Sequence, residues 1–212
     1  MERNSSLVII SGPSGCGKDT IIEKVLQRMS GIGVSISCTT RSPRKKGKNS
    51  MEQHGVDYFF VSQEEFAERI HANGFLEYAN NKGDFYGTPR DYVEKLYKDG
   101  NDIVLLNIEN LGAAQVKAIE PTVVSIFILP PSAQELRRRL IGRKTEPMDK
   151  VEKRYQKGME QMQMAYVYDY AVMNDDLDTA VEQVVHILQA VRCRTMLHKE
   201  LIDRVNATFI EQ

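Results

Sequence analysis

The sequence has few of the residues and segments that mark several large classes of protein. Its three cysteines and four histidines have the spacing of neither a disulfide framework nor a zinc site. Lys and Arg number 28 against 29 Asp and Glu, so no net positive charge attracts nucleic acid. No apolar run nears the roughly 20 residues of a membrane span, and the first residues do not resemble a signal peptide. We therefore expect a cytoplasmic protein that binds neither nucleic acid nor membranes.

The 212 residues have the composition of one globular domain, with 42% hydrophobic and 27% charged residues. Apolar runs alternate with helical patterns, which predicts an α/β fold with a parallel sheet covered by helices. The strands expected in the parallel core are Leu7–Ile10, Ile103–Ile108, Val123–Leu129 and Tyr170–Met173.

Between residues 34 and 90 the predicted strands are short and closely spaced, so this stretch is expected to be an inserted lobe. It begins with a predicted strand at Val34–Ser37 and continues into a polar loop from Arg41 to Gly55. Near the end of the chain, helical spacing predicts one long helix from Leu177 to Arg204, packed on the sheet.

A glycine-rich segment follows the first predicted strand and opens a helix. It consists of Gly12, Pro13, Ser14, Gly15, Cys16, Gly17 and Lys18. This is the spacing of a phosphate-binding loop, in which backbone N–H groups and a helix N-terminus surround an anion. With Asp19 and Thr20, these residues are predicted to bind ATP, and Lys18 would reach its terminal phosphates. The alternative is a turn that only joins strand to helix.

Asp19 departs from the usual loop pattern, which has Ser or Thr after the lysine as a ligand of Mg²⁺. We expect that Asp19 does not block nucleotide binding. The magnesium ion would be held through the nucleotide phosphates, with Asp19 or Thr20 as the protein's own candidates.

Six further segments follow in order along the chain. They are residues 35–44, 55–61, 74–79, 86–89, 125–132 and 174–177. Together with the phosphate loop, this series closely resembles guanylate kinase from about Leu7 to Val191. The resemblance implies a P-loop kinase, a three-layer sandwich of residues 1–212 with a GMP-binding lobe at 34–90 and a small helical lid at 140–160. It also implies Mg²⁺-dependent transfer of the γ-phosphoryl group of ATP to GMP, and to dGMP as well.

The resemblance also implies roles for individual residues. The expected GMP-binding residues are Ser37, Arg41, Arg44, Tyr58, Glu77, Tyr86, Thr88, Asn107 and Glu109. Among them the two arginines and two tyrosines would hold the acceptor phosphate, and Ser37, Glu77 and Thr88 would read the guanine. The residues expected to act in phosphoryl transfer are Lys18, Arg41, Arg139, Arg143 and Arg154.

General chemistry agrees with these roles. A carboxylate such as Glu77 can accept from guanine N1–H and N2–H₂ but would face a lone pair at adenine N1, and guanidinium groups suit phosphate oxygens. The alternatives are that Tyr58 and Tyr86 are core aromatics and that Glu77 is a solvated surface residue. Arg137 and Arg138 are expected to lie on a solvated helix face.

Three features depart from the family pattern. Asn107 stands where an acidic residue is expected, so Asn107→Asp would raise turnover if the missing charge matters. The loop from Lys45 to His54 is longer than expected, and Glu52 within it is a candidate for organising the acceptor site. The segment after Cys193 extends past the resemblance and is expected to continue a packed helix.

Two other functions stay open at this point. One is a kinase for another phosphorylated small molecule, such as a ribosyl phosphate, which has no guanine edge for Glu77 and Ser37 to read. The other is a guanylate-kinase-like scaffold without catalysis, although such domains typically lose the loop lysine, which is present here as Lys18. Either a monomer or a homodimer is compatible with the sequence.

Overall fold

The computed structural model describes residues 5–46, 50–81, 83–142 and 147–210, and the following strands lie within them. The strands are β1 (Ser6–Ser11), β2 (Ile32–Val34), β3 (Cys38–Thr39), β4 (Lys45–Lys46), β5 (Ser50–Met51), β6 (Phe59–Phe60), β7 (Phe75–Asn81), β8 (Asp84–Pro89), β9 (Ile103–Asn107), β10 (Val124–Leu129) and β11 (Tyr170–Met173).

The helices alternate with the strands of the central sheet. They are α1 (Lys18–Arg28), α2 (Gln63–His71), α3 (Arg90–Lys98), α4 (Asn110–Ile119), α5 (Ala133–Gly142), α6 (Met148–Met162), α7 (Leu177–Arg192) and α8 (Lys199–Ile210). In the parts of the chain that the structure describes, no helix is long and apolar enough to cross a bilayer.

The central sheet is parallel throughout, with its five strands in the order β11, β10, β1, β9, β2. Alternate residues of each strand face opposite sides, so Val8 and Leu105 pack in one core with α1 and α7. Ile9 and Leu106 pack in a second core with α3 and α4. Burial on both faces explains why β9 is apolar from Ile103 to Leu106. The predicted three-layer α/β sandwich is confirmed.

A second, four-stranded sheet is built from residues between 38 and 89, in the order β6, β3, β8, β7. Its small apolar core contains Cys38, Phe66 and Phe75, with the two phenyl rings stacked 4.4 Å apart. Helix α2 covers this core, and Ser62 is its N-cap. Residues 62–65 have the Ser-x-x-Glu pattern that predicts a capping box, and the Ser62 hydroxyl oxygen accepts from the Glu65 N–H as that pattern requires.

Strand β2 corrects the predicted core sheet. Ile32–Val34 pairs with β9, so the sheet has five strands where the sequence predicts four, and the strand expected at Val34–Ser37 overlaps it by one residue. This strand has only three residues, one of them Gly33, so the sequence shows no apolar run there that would predict it. The predicted loop from Arg41 to Gly55 contains the antiparallel pair β4 and β5.

The prediction of one helix from Leu177 to Arg204 is wrong. Helix α7 ends at Arg192, and the His198 Nε2 lies 2.8 Å from the Arg192 carbonyl oxygen. A short 3-10 turn leads into α8, in which residues 201–209 are all exposed. The C-terminal segment therefore does not continue a packed helix.

We expect Leu106→Ala to lower the free energy of unfolding by about 2–5 kcal/mol, because Leu106 is fully buried in the second core. Leu201→Ala on exposed α8 is the matched control, with an expected change of about 0.5 kcal/mol. Urea unfolding followed by circular dichroism measures both variants. Equal losses would contradict this account of the core.

Candidate active site

The phosphate loop connects β1 to α1 at the carboxyl edge of the central sheet. Gly17 caps the N-terminus of α1 with a φ of 96°, a conformation that favours glycine. A Cβ atom on Gly17 would lie 2.3 Å from the Asn174 Nδ2, so a side chain here would displace Asn174. The loop thus brings Gly17 and Lys18 to the N-terminal end of α1, where the sequence predicts an anion site.

The ammonium group of Lys18 lies within the curve of this loop. Its Nζ donates to the carbonyl oxygen of Gly12 at 2.6 Å and lies 3.4 Å from that of Pro13. The neighbouring Cys16 is buried, and burial raises the pKa of its thiol. Cys16 is therefore a neutral packing residue, and Lys18 supplies the positive charge of the loop.

Side chains from the end of β11 and from α5 support the loop. The Asn174 Nδ2 donates to the Cys16 carbonyl oxygen at 2.7 Å. Arg139 donates through Nη2 to the Asn174 carbonyl oxygen at 2.9 Å and through Nε to Glu135 at 2.7 Å. Hydrogen bonds from Arg138, and secondly from Arg139, lower the pKa of Glu135 to about 2. The carboxylate of Glu135 stays ionised and fixes the guanidinium of Arg139 beside the loop.

Arg154 of α6 approaches the loop from the other side, with its Nη1 3.5 Å from the Ser14 hydroxyl. Helix α6 also contacts the turn after β9, where the Lys157 Nζ donates to Glu109 at 2.7 Å. Arg143 lies outside the described residues. Arg137 and Arg138 are exposed and pair with Glu152 and Glu135, as expected of a solvated face.

Asp19 and Asn107 meet between α1 and the end of β9. The Asn107 Nδ2 donates to the Asp19 Oδ1 at 2.7 Å, although 88 positions separate the two residues. The carboxylate of Asp19 and the hydroxyl of Thr20 are oxygen donors of the kind that Mg²⁺ prefers. Within the described ranges no three acidic, cysteine or histidine residues form a metal cage. The oxygen atoms of Asp19 and Thr20 thus fit a magnesium ion by their chemistry.

The guanidinium of Arg41 forms the centre of a second group of residues, in the lobe with the four-stranded sheet. Arg41 donates to both carboxylate oxygens of Glu52 at 2.6 and 2.8 Å, and the Arg44 N–H donates to Glu52 at 2.8 Å. The hydrogen bond from Arg41 lowers the pKa of Glu52. The Arg44 residue itself is exposed. Glu52 therefore organises the two arginines, the arrangement for which the sequence offers it as a candidate.

Two tyrosines enclose Arg41. The Arg41 Cζ lies 4.8 Å from the centre of the Tyr58 ring, and the Tyr58 and Tyr86 rings meet edge to face at 6.1 Å. Burial raises the pKa of Tyr58, so its phenol stays protonated as a donor. The Arg41 Nε is buried, and among the described residues its N–H donates no hydrogen bond that meets normal geometry. The group thus offers donors and a positive charge rather than only an aromatic core.

Glu77 is buried, not a solvated surface residue. Thr88 lies opposite Glu77 in the β7–β8 register and donates its hydroxyl hydrogen to the Glu77 Oε1 at 2.6 Å. A Cβ atom on Gly112 of α4 would lie 2.4 Å from the Glu77 Oε2, so the carboxylate depends on glycine there. Burial raises the pKa of Glu77, and the negative charge of Glu109 adds to this shift against the hydrogen bonds from Thr88.

The remaining predicted residues lie around these groups. Ser37 is half-buried and directly precedes β3, and continuing the β3–β8 register by one residue places it opposite Thr88. Glu109 caps α4 and pairs with Lys157 rather than with another predicted site residue. The sequence gives no role to Asn174 or Glu135, although the position of Asn174 after a predicted strand is a usable signal.

Comparisons with known proteins agree with this arrangement of residues. The sequence model of the guanylate kinase family matches residues 4–191. The guanylate kinase of Caldanaerobacter subterraneus subsp. tengcongensis is 42% identical over 205 residues, 97% of each chain. That of Clostridioides difficile is 41% identical over 196 residues, 92% of this chain and 93% of that protein.

A solved structure agrees with the sequence matches. The crystal structure of guanylate kinase from Anaplasma phagocytophilum has a TM-score of 0.71 and 32% identity, and the match covers 91% of this chain and 88% of that one. The phosphate loop and the lobe around Arg41 and Glu77 thus lie in a fold shared with solved guanylate kinases. The chain therefore belongs to the guanylate kinase family of ATP:GMP phosphotransferases.

Proposed function

We propose that this protein transfers the γ-phosphoryl group of ATP to a phosphate oxygen of GMP, and of dGMP, in the cytoplasm. The P–O bond to ADP breaks and a P–O bond to the acceptor phosphate forms, so the products are ADP and GDP or dGDP. The observation that carries the acceptor assignment is the buried Glu77 carboxylate beside Thr88, in the same lobe as the guanidinium of Arg41.

The donor side follows from the loop between β1 and α1. The N–H groups at the start of α1 and the ammonium of Lys18 bind the β- and γ-phosphates, for which Lys18 leaves the carbonyl oxygen of Gly12. Arg139 and Arg154, which contact the surroundings of the loop, neutralise charge on the transferred group. A bound magnesium ion adds further charge neutralisation, with Asp19 and Thr20 as the residues that would hold it.

The acceptor phosphate binds at Arg41. Glu52 accepts one N–H from each of Nη1 and Nη2, and the Ser42 carbonyl oxygen accepts the other N–H of Nη1. The donors left for phosphate oxygens are therefore the second Nη2 N–H, the Nε N–H and the hydroxyls of Tyr58 and Tyr86. The exposed guanidinium of Arg44 adds a second positive charge from the same loop. Phosphoryl transfer needs such positioning and neutralisation and no protein nucleophile.

The purine binds at Glu77. Its ionised carboxylate accepts from guanine N1–H and N2–H₂, with the carboxylate orientation fixed by Thr88. Adenine has no hydrogen on N1, so its lone pair would face the carboxylate at a cost of about 1–3 kcal/mol per unmet group. A kinase for ribosyl phosphates would not need a buried carboxylate that binds a base. The presence of Lys18 in the phosphate loop likewise disfavours a non-catalytic scaffold.

A coupled assay of ADP release with GMP, dGMP, AMP, UMP and ribose 5-phosphate tests this function. GMP and dGMP should have values of kcat/KM at least about a hundredfold above that of AMP. Adenine lacks the N1–H and N2–H₂ donors of guanine, so AMP would leave the Glu77 carboxylate unpaired. Faster turnover of AMP, UMP or the sugar phosphate would contradict the acceptor assignment. Folded protein without turnover on any acceptor would indicate the scaffold.

Glu77→Gln should lower kcat/KM for GMP by about tenfold to a hundredfold. The NH₂ group of the Gln amide is a donor and would face an N–H donor of guanine without forming a hydrogen bond. The effect should fall mainly on KM for GMP, with KM for ATP unchanged. Steady-state kinetics with each substrate varied measures this difference. Glu68→Gln, at an exposed position of α2, is the matched control and should keep both constants. Wild-type kinetics in Glu77→Gln would overturn the role of Glu77.

The pH dependence of GMP binding should reflect the raised pKa of Glu77. As pH falls, this group takes up its proton at a higher pH than an ordinary glutamate does, and KM for GMP rises. Glu52 stays ionised in that range, because its pKa is lowered. The GMP phosphate also titrates, near pH about 6, but equally in wild type and in Glu77→Gln. The rise in KM for GMP at low pH that is due to Glu77 should therefore be absent from the pH profile of Glu77→Gln. Identical pH profiles for wild type and Glu77→Gln would contradict this role of Glu77.

A further inference from the structure

The hydrogen bond between Asn107 and Asp19 joins the two nucleotide sites described above. Asp19 is the second residue of α1 and follows Lys18 of the phosphate loop. Asn107 ends β9, and the chain continues through Glu109 into α4. At Gly112 this helix lies against the carboxylate of Glu77. The 2.7 Å bond thus ties the triphosphate loop to the segment that supports the purine-reading residue.

The chemistry of the pair explains why residue 107 is an amide. Asn has the shape of Asp but places an N–H donor where Asp has an oxygen, and here that donor faces the Asp19 Oδ1 at 2.7 Å. A carboxylate at position 107 would place two negative oxygens in contact beside a site that must hold a polyanionic nucleotide. Like charges this close repel each other. The amide therefore leaves one carboxylate at this contact, and α1 supplies it.

We propose that Asn107 is a positioning residue that holds the Asp19 carboxylate in place for the magnesium ion of the bound nucleotide. This inference rests on the proposed function, since it assigns the pair to the nucleotide–metal complex. It reverses the expectation from the sequence that Asn107→Asp would raise turnover. The charge thought to be missing from β9 is present on α1, 88 positions earlier in the chain.

Three variants separate charge, hydrogen bond and position. Asn107→Asp sets two carboxylates against each other. Asp19→Asn keeps an acceptor for the Asn107 amide but removes the charge. The double variant D19N/N107D exchanges the two groups, so the donor, the acceptor and the total charge are all retained. Asn206→Asp on exposed α8 is the matched control for the same chemical change at a distant site.

The main measurement is the dissociation constant of ADP by calorimetry, once with excess Mg²⁺ and once with EDTA. The ratio of the two constants gives the gain in affinity due to magnesium. Melting temperatures of the nucleotide-free variants report any structural effect separately. A purely structural hydrogen bond would change the melting temperature and both constants but would leave their ratio unchanged.

We expect Asn107→Asp to weaken ADP binding in EDTA about tenfold, a typical coupling between groups in contact, and the double variant to recover most of that loss. Asp19→Asn should lower the magnesium ratio about fivefold or more without lowering the melting temperature. Asn206→Asp should match wild type in every measurement.

The proposal is overturned if Asn107→Asp binds ADP as wild type does, if the double variant is as weak as the summed single effects predict, or if Asp19→Asn keeps the wild-type ratio. Because ADP binding requires no acceptor, these outcomes are independent of whether wild type phosphorylates GMP. A wild type inactive on GMP would overturn the proposed function, while variants indistinguishable from an active wild type would overturn only the pair.

Discussion

Strand β1 lies between two parallel neighbours, and its register with each of them determines where the polar ends of three strands meet. Ile10 lies opposite Asn107 of β9, and Ser11 lies opposite Phe127 of β10. Because parallel strands end at the same edge of a sheet, the phosphate loop, the turn into α4 and the end of β11 must all lie there. The contacts of Lys18, Asn107 and Asn174 follow from this pairing. An apolar sheet buried on both faces thus positions polar groups that have no local reason to be near one another.

Two close approaches then require that a side chain be missing. At Gly17 the phosphate loop meets the Asn174 amide, and at Gly112 helix α4 meets the Glu77 carboxylate. Both contacts join elements that are distant in the chain, and a methyl group at either glycine would overlap a polar atom of the site. The close packing of protein interiors leaves little room for such a group to be absorbed by relaxation. These two glycines therefore support the site because the absence of a side chain allows the close contacts with Asn174 and Glu77.

The sequence predicts well those features whose cause is local. The loop before Lys18 needs only a strand, a glycine pattern and a helix, and the capping box at Ser62 is complete within four residues. Strand β8 has no such signal, because Gly87 and Pro89 disfavour a strand and its pairing with β7 and β3 overrides that preference.

The features that the sequence does not predict are mostly long-range contacts. Asn107 and Asp19 each depart from the family pattern when read alone, and only the fold shows that the two departures face each other. At the end of α7 the Arg192 side chain likewise has tertiary partners, the Ser30 carbonyl oxygen and the Asp102 carboxylate. Helical spacing in the sequence carries no information about such partners.

In the proposed function, the lobe with the four-stranded sheet presents opposite charges to the two ends of one ligand. Arg41 is almost fully buried, and Glu52 lets it remain so by neutralising the guanidinium without using its Nε. Glu77 is also buried and accepts from the Thr88 hydroxyl on its Oε1. Burial raises the pKa of this carboxylate, whereas the hydrogen bond from Arg41 lowers the pKa of Glu52. In the proposed function, a purine monophosphate with a negative phosphate and N–H donors on its base complements both ends at once. A ligand that has the phosphate but lacks those N–H donors would leave the buried Glu77 carboxylate without a partner on the base, and that cost would be the physical basis of its rejection.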